Sequence, residues 1–255
     1  LRKLINISDE DLERFEDRLD QSPPYRPVVL RPNLSAEELA RFEVDRYQYA
    51  GVDVAAALVR SYPLGAAAAH VLGYVSGITA TDLKTIDPNL YQGLTQIGKA
   101  GVERSHEQDL RGTPGVKIVE ANASGRPLRE IDSKPGVPGR NLYLSIDARL
   151  QTIAVNALKD LDGAVVALDP RNGEVLAMVS VPSFDPNPFV NGIAAADYAA
   201  LLADPDTPLL NRALRGGYAP GSTMKPFVGL GGLELGLRRP SDTVLSTGEF
   251  FIPGQ

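Results

Sequence analysis

Residues 142–181 read LYLSIDARLQTIAVNALKDLDGAVVALDPRNGEVLAMVSV. The apolar run at 142–146 predicts a strand, and Asp147 is a good N-cap for a helix starting at 148. Leu150, Ile153, Ala154, Ala157, Leu158 and Leu161 then recur at helical spacing and mark one face of an amphipathic helix. Two apolar runs, 164–168 and 175–181, flank Asp169-Pro170-Arg171-Asn172-Gly173, which is turn chemistry between two strands. A short helix is expected over 194–203, closed by Asp204-Pro205. Strand, helix, hairpin and helix in that order predict an antiparallel sheet with helices packed on it, an α+β domain.

Upstream the signals are softer. Ser8 is placed to cap a helix carrying Leu12, Phe15 and Leu19. Residues 21–27 hold three prolines and must be irregular or extended. A short strand is expected at 28–30. Ser35-Ala36-Glu37-Glu38 is a capping box, and Leu39, Phe42 and Val44 ride on the helix it starts, which should run to about Arg46. A strand is expected at 52–58, helix or strand at 66–75, and a helix around 102–110. A hairpin should pair 116–120 with 128–131 around a turn at 122–125. Residues 132–141, DSKPGVPGRN, place two prolines and two glycines among charges. The domain boundary is expected there, giving a mixed α/β domain over 1–140 and a second domain over 141–255.

Composition narrows the function. The chain has 255 residues, 43% hydrophobic and 23% charged, enough to bury a sizeable core. Its formal charge of −6 leaves no basic excess for phosphates, so no nucleic-acid partner is expected. Cysteine is absent, and His70 and His106 are the two histidines. Neither a metal site nor a cofactor is expected from such a set. His70, among alanines and valines, reads as a satisfied core histidine. His106, beside Glu103 and Glu107, reads as part of a solvated helix face, while Asp169 and Asp185 precede prolines as turn residues. No stretch has the roughly 18 apolar residues of a membrane span. With no initial Met and an end at FIPGQ, the chain reads as a piece of a longer protein.

Residues 218–226, YAPGSTMKP, carry the chemistry. A serine hydroxyl needs a base within hydrogen-bond reach to become a nucleophile. Residues three apart on a helix share a face, so Ser222 and Lys225 put an amine next to a hydroxyl without help from a distant residue. Burial or a nearby positive group would lower the lysine pKa enough for it to serve as base. Pro220-Gly221 suits a tight entry to a helix, leaving Ser222 at its N-terminus, where free N–H groups favour a developing oxyanion. Residues 227–237 are apolar and glycine-rich, which predicts a buried helix. A Ser-x-x-Lys pair arises by chance about once in a chain of this length, so the pair draws its weight from context.

That context is a resemblance. Tyr-x-Pro-Gly-Ser-Thr-x-Lys-Pro resembles the first active-site motif of class B penicillin-binding proteins. Residues 163–189, GAVVALDPRNGEVLAMVSVPSFDPNPF, are similar to the hairpin and loop at the start of their transpeptidase domain, and LSIDARLQ at 144–151 to its opening strand and helix. YPLG and HVLGYVS within 60–76, then GKAGVE and LRG within 98–112, resemble the non-catalytic pedestal of that family. The match is collinear along nearly the whole chain. Residues 185–211 are most similar to the elongation-specific branch.

The resemblance implies a mixed α/β, dimerisation-type pedestal over 1–140, followed by the first part of a penicillin-binding transpeptidase domain over 141–255. It implies that Ser222 attacks the penultimate D-Ala carbonyl of a peptidoglycan stem peptide with Lys225 as base. The backbone N–H of Ser222 would be half of the oxyanion hole, and β-lactams would acylate the same oxygen. Implied partners are stem peptides, β-lactams, a SEDS-type glycan polymerase and elongation scaffold proteins that meet the pedestal. The implied location is the periplasmic face of the bacterial inner membrane, held by an N-terminal anchor outside this chain. The family also uses Ser-x-Asn and Lys-Thr/Ser-Gly motifs, and neither follows Ser222 here, so this stretch alone is expected to be a poor enzyme. The alternatives are an interaction module built on the pedestal, a division-specific paralogue of the same class, and a serine β-lactamase or β-lactam sensor. The long pedestal argues against a free-standing β-lactamase.

Overall fold

The computed structural model describes residues 1–248 apart from 3, 21, 23–26 and 123–126. The expected irregular stretch at 21–27 and the turn at 122–125 therefore lie largely outside the described residues. By internal contacts the chain forms two units, Leu1–Arg215 and Gly216–Gln255.

The first unit opens with α1 (Asp9–Asp20), α2 (Ala36–Asp45) and a 3₁₀ turn at Arg46–Gln48. Ser8 and Asp11 satisfy each other across the start of α1: Ser8 Oγ accepts the Asp11 N–H at 3.0 Å, and Asp11 accepts the Ser8 N–H at 3.1 Å. The capping box of α2 forms as expected. Ser35 Oγ accepts the Glu38 N–H at 3.1 Å and Glu38 accepts the Ser35 N–H at 2.9 Å. Glu38 also takes the Asn6 N–H at 2.9 Å, which ties α2 to the chain before α1.

Next come α3 (Ala69–Leu72), β1 (Val75–Gly77), β2 (Gln96–Gly98), α4 (Gly101–Ser105) and α5 (Glu107–Arg111). β1 and β2 pair antiparallel. The single helix expected over 102–110 is instead two, broken at His106. Glu103 is not on a solvated face. It is 3% exposed and accepts from Arg60 Nε at 2.5 Å and Tyr62 Oη at 3.2 Å. Burial and the Glu103 charge push the Tyr62 phenol up to about 12, so it stays protonated and remains a donor.

β3 (Val116–Ala121) and β4 (Pro127–Lys134) form the second antiparallel hairpin. The last comprises β5 (Gly163–Leu168) and β6 (Val175–Val181), preceded by α6 (Ala148–Ala157). Asp147 caps α6, accepting the Arg149 and Leu150 N–H groups at 2.8 and 3.1 Å. α6 packs on β6, and α7 (Asn187–Val190), α8 (Ala195–Ala203) and α9 (Arg212–Arg215) complete the unit, with α9 against both strands of the hairpin. The fold is the expected mixture of helices and short antiparallel sheets.

Three expected strands, at 28–30, 52–58 and 142–146, form no ladder. Apolar residues alone do not supply a pairing edge. At 142–146 the chain runs beside β6 through isolated bonds, Ser145 Oγ to the Val175 carbonyl at 2.8 Å and the Asp147 N–H to the Leu176 carbonyl at 2.9 Å. The inward face of α6 also differs from the expected one. Ala154 is buried and Leu150 half-buried as expected, but Ile153 and Ala157 are exposed and Gln151 is buried instead.

The core gathers Ala69, Phe184 and Phe189, with Tyr74, Ile193, Leu201 and Leu209 against them. The Tyr74 and Phe189 rings lie 4.3 Å apart, and Phe184 meets Phe189 edge-on at 5.5 Å. Early and late parts of the sequence thus share one core.

Candidate active site

The second unit holds the motif. Gly221–Met224 form a 3₁₀ turn that passes directly into α10 (Lys225–Glu234), with Pro226 in its first turn, where a missing N–H costs nothing. Gly221 has φ +53°, a conformation that a side-chain-bearing residue adopts at a cost, and this explains the Pro-Gly entry. The Thr223 N–H and hydroxyl both donate to the Pro220 carbonyl, and the Lys225 N–H donates to the Ser222 carbonyl. α10 closes in a Schellman motif: Gly236, at φ +66°, donates to the Leu233 carbonyl at 3.1 Å and Leu237 donates to the Gly232 carbonyl at 2.9 Å.

Ser222 and Lys225 therefore sit in consecutive turns at the helix entry, both exposed, and among the described residues neither side chain makes a hydrogen bond or ion pair. The turn geometry places the Ser222 N–H near the helix start, as the sequence implied. The expectation of a buried helix is not met. Phe227 and Val228 are 68% and 70% exposed, and Leu230 and Leu233 are also exposed. Within its unit α10 packs on the turn that leads into it, and among the described residues its apolar sides are left exposed.

His70 departs from its expected role as well. Its Nε2 is sealed from solvent and has no partner at hydrogen-bond geometry among the described residues, although the Pro208 and Pro182 carbonyls near the ring favour its charged form. Burial and the nearby Arg212 guanidinium hold its pKa below the ordinary histidine range. Arg212 is itself 8% exposed and donates to the carbonyls of Asp206 and Thr207. His106 is exposed beside Asp109, and Asp169 and Asp185 do order their turns, accepting the N–H groups of Arg171 and Asn187.

Sequence reading passed over a set of polar residues that the fold uses heavily: Gln151, Ser183, Asn187 and Asn211. Gln151 is 1% exposed, and its amide bonds both polar main-chain groups of Met178, at 2.8 and 2.9 Å. A glutamine next to the apolar stripe of α6, and an asparagine between two prolines at 186–188, were the available signals.

Comparison with known proteins bears on the motif and its surroundings together. Residues 1–144 match the Penicillin-binding Protein dimerisation domain and residues 163–249 the Penicillin binding protein transpeptidase domain. The chain belongs to the family of penicillin-binding proteins that join these two domains. It is 43% identical to the peptidoglycan D,D-transpeptidase MrdA of Acinetobacter baumannii, with all of this chain and 38% of the relative aligned. For MrdA of Escherichia coli K12 the identity is 40%, over 100% and 41% of the two chains. The chain thus spans about two fifths of the length of these relatives. Among solved structures it resembles PBP2 of Pseudomonas aeruginosa in complex with WCK 5153 (TM-score 0.66, 45% identity, 77% of this chain and 40% of that one). It also resembles the complex between PBP2 and MreC from Helicobacter pylori (TM-score 0.71, 30% identity, 90% and 46%).

Proposed function

We propose that the intact protein is a serine peptidoglycan D,D-transpeptidase of cell elongation, with Ser222 as nucleophile and Lys225 as its base. The observation that carries this reading is Ser-x-x-Lys at a turn-to-helix entry, three residues apart with both side chains unengaged, inside a chain collinear with MrdA throughout. Ser222 Oγ attacks the penultimate D-Ala carbonyl as Lys225 takes its proton. The tetrahedral oxyanion is met by the Ser222 N–H, and the terminal D-Ala leaves with a proton returned to its amine. An amine of a neighbouring stem then attacks the acyl-enzyme, making the cross-link and freeing Ser222. A β-lactam carbonyl acylates the same oxygen.

Residues 1–140 are the pedestal and 141–255 the opening part of the catalytic domain. The H. pylori relative, solved in complex with MreC, supports a scaffold partner for the intact protein, and we assign that contact to the pedestal. A SEDS-type polymerase is a further proposed partner, and the proposed site of action is the periplasmic face of the inner membrane. Among the described residues no helix is long and apolar enough to cross a membrane, so the proposed anchor lies outside them. In the full-length protein, Ser222→Ala should abolish labelling by fluorescent penicillin and leave binding to scaffold partners intact. Retained labelling would refute Ser222 as the nucleophile.

A further inference from the structure

Residues 62–70 lie on the amino-terminal side of the proposed boundary, yet the side chains that hold their main chain come from beyond residue 150. Asn187 Nδ2 donates to the Tyr62 carbonyl at 3.1 Å, and its Oδ1 accepts the Tyr62 N–H at 2.9 Å. Both polar groups of one residue are thus satisfied by one amide, as a neighbouring strand would satisfy them. Ser183 Oγ donates to the Ala66 carbonyl and Gln151 Nε2 to the Ala67 carbonyl, each at 2.8 Å. Asn211 Nδ2 donates to the His70 carbonyl at 3.2 Å. Apolar contacts run the same way, through Ala69 and Tyr74 onto Phe184 and Phe189. Further along, Gln96 Nε2 in β2 donates to the Val190 carbonyl at 2.5 Å.

The β3–β4 hairpin is held differently. Every residue of β3 is exposed, and among the described residues its ion pairs, Lys117–Glu130 and Arg129–Glu120, close within the hairpin. At its base Thr113 and Val137 exchange main-chain bonds of 2.8 and 2.9 Å.

We propose that residues 62–111 are mechanically one body with residues 147–212, the opening stretch of the catalytic half, latched to it through Asn187, and that the hairpin beyond the Thr113–Val137 bridge is the element free to move. A partner that displaced residues 62–111 would drag the 182–212 segment with it, whereas one that displaced the hairpin would not. This inference is independent of the acyl-transfer reading.

The test is amide hydrogen exchange on the full-length enzyme and its Asn187→Ala variant. In the wild type, amides of 62–75 should exchange with β5–β6 and more slowly than β3–β4 by at least about tenfold. Asn187→Ala should speed exchange across 62–75 by about tenfold and leave β3–β4 unchanged. Exchange of 62–75 on the timescale of the hairpin, or equal acceleration of both in the variant, would overturn the proposal. If Asn187→Ala does not yield folded protein, Ser183→Ala removes a single bond at Ala66. It should produce a smaller acceleration confined to 62–75, and acceleration that extends to β3–β4 counts against the latch. Penicillin labelling does not enter the readout, so either idea can fail without the other.

Discussion

Ser222, the proposed nucleophile, contributes nothing visible to folding, because its side chain is exposed and, among the described residues, unengaged. Ser222→Ala in the intact enzyme should therefore remove penicillin labelling while shifting the unfolding free energy by less than about 0.5 kcal/mol, measured by denaturant titration. His70 is the opposite kind of residue. Its Nε2 is sealed from solvent with no partner at hydrogen-bond geometry among the described residues, and burial together with the Arg212 cation holds its folded pKa below the ordinary value of 6.5. The unfolded chain takes up a proton near that value while the folded one refuses it. Stability contributed by neutral His70 is thus present above about pH 6.5 and is lost as pH falls towards the lower folded pKa. Denaturation midpoints taken between about pH 7 and about pH 5 should fall more steeply for wild type than for His70→Gln. Equal slopes would show that the proton taken up on unfolding belongs elsewhere.

Elements whose ends are fixed by neighbouring residues were legible in the sequence. Ser35 with Glu38, Asp147 before α6, and Asp169 to Gly173 between β5 and β6 each act over two to four residues, and each formed where expected. The Ser222–Lys225 entry turn was readable for the same reason. Elements that need a distant partner were not. The apolar runs at 28–30 and 52–58 found no ladder, and the inward face of α6 turned to follow a glutamine. The latch escaped notice because its bonds join residues 84 to 141 positions apart. Two substitutions separate the local from the distant class. Ser35→Ala should cost about 1 kcal/mol, the loss of one cap. Gln151→Met keeps the length of the side chain but strands the Met178 N–H and the carbonyls of Met178 and Ala67 in the interior, and should cost about 3 kcal/mol by chemical denaturation. Similar losses for both would mean that water reaches the Gln151 site.

At the scale of the molecule, sequence order and mechanical order part company. A cut at 140/141 would strip Ala69 and Tyr74 from Phe184 and Phe189, exposing the aromatic core, and would leave Asn187 and Gln151 without their main-chain partners at 62–67. The catalytic half should therefore not fold without residues 62–111. The hairpin makes the reverse case. Thr113 and Val137 already face each other as a hydrogen-bonded antiparallel pair, so residues 114–136 can be replaced by Asn-Gly, a two-residue turn suited to that geometry. In the intact enzyme that excision should leave penicillin labelling at the wild-type level. Removal of 62–111 should give insoluble or unlabelled protein, because buried apolar and polar groups lose their partners together. If hairpin excision destroyed labelling as thoroughly as removal of 62–111, the catalytic half would depend on the whole pedestal, and Asn187 would be one contact among many.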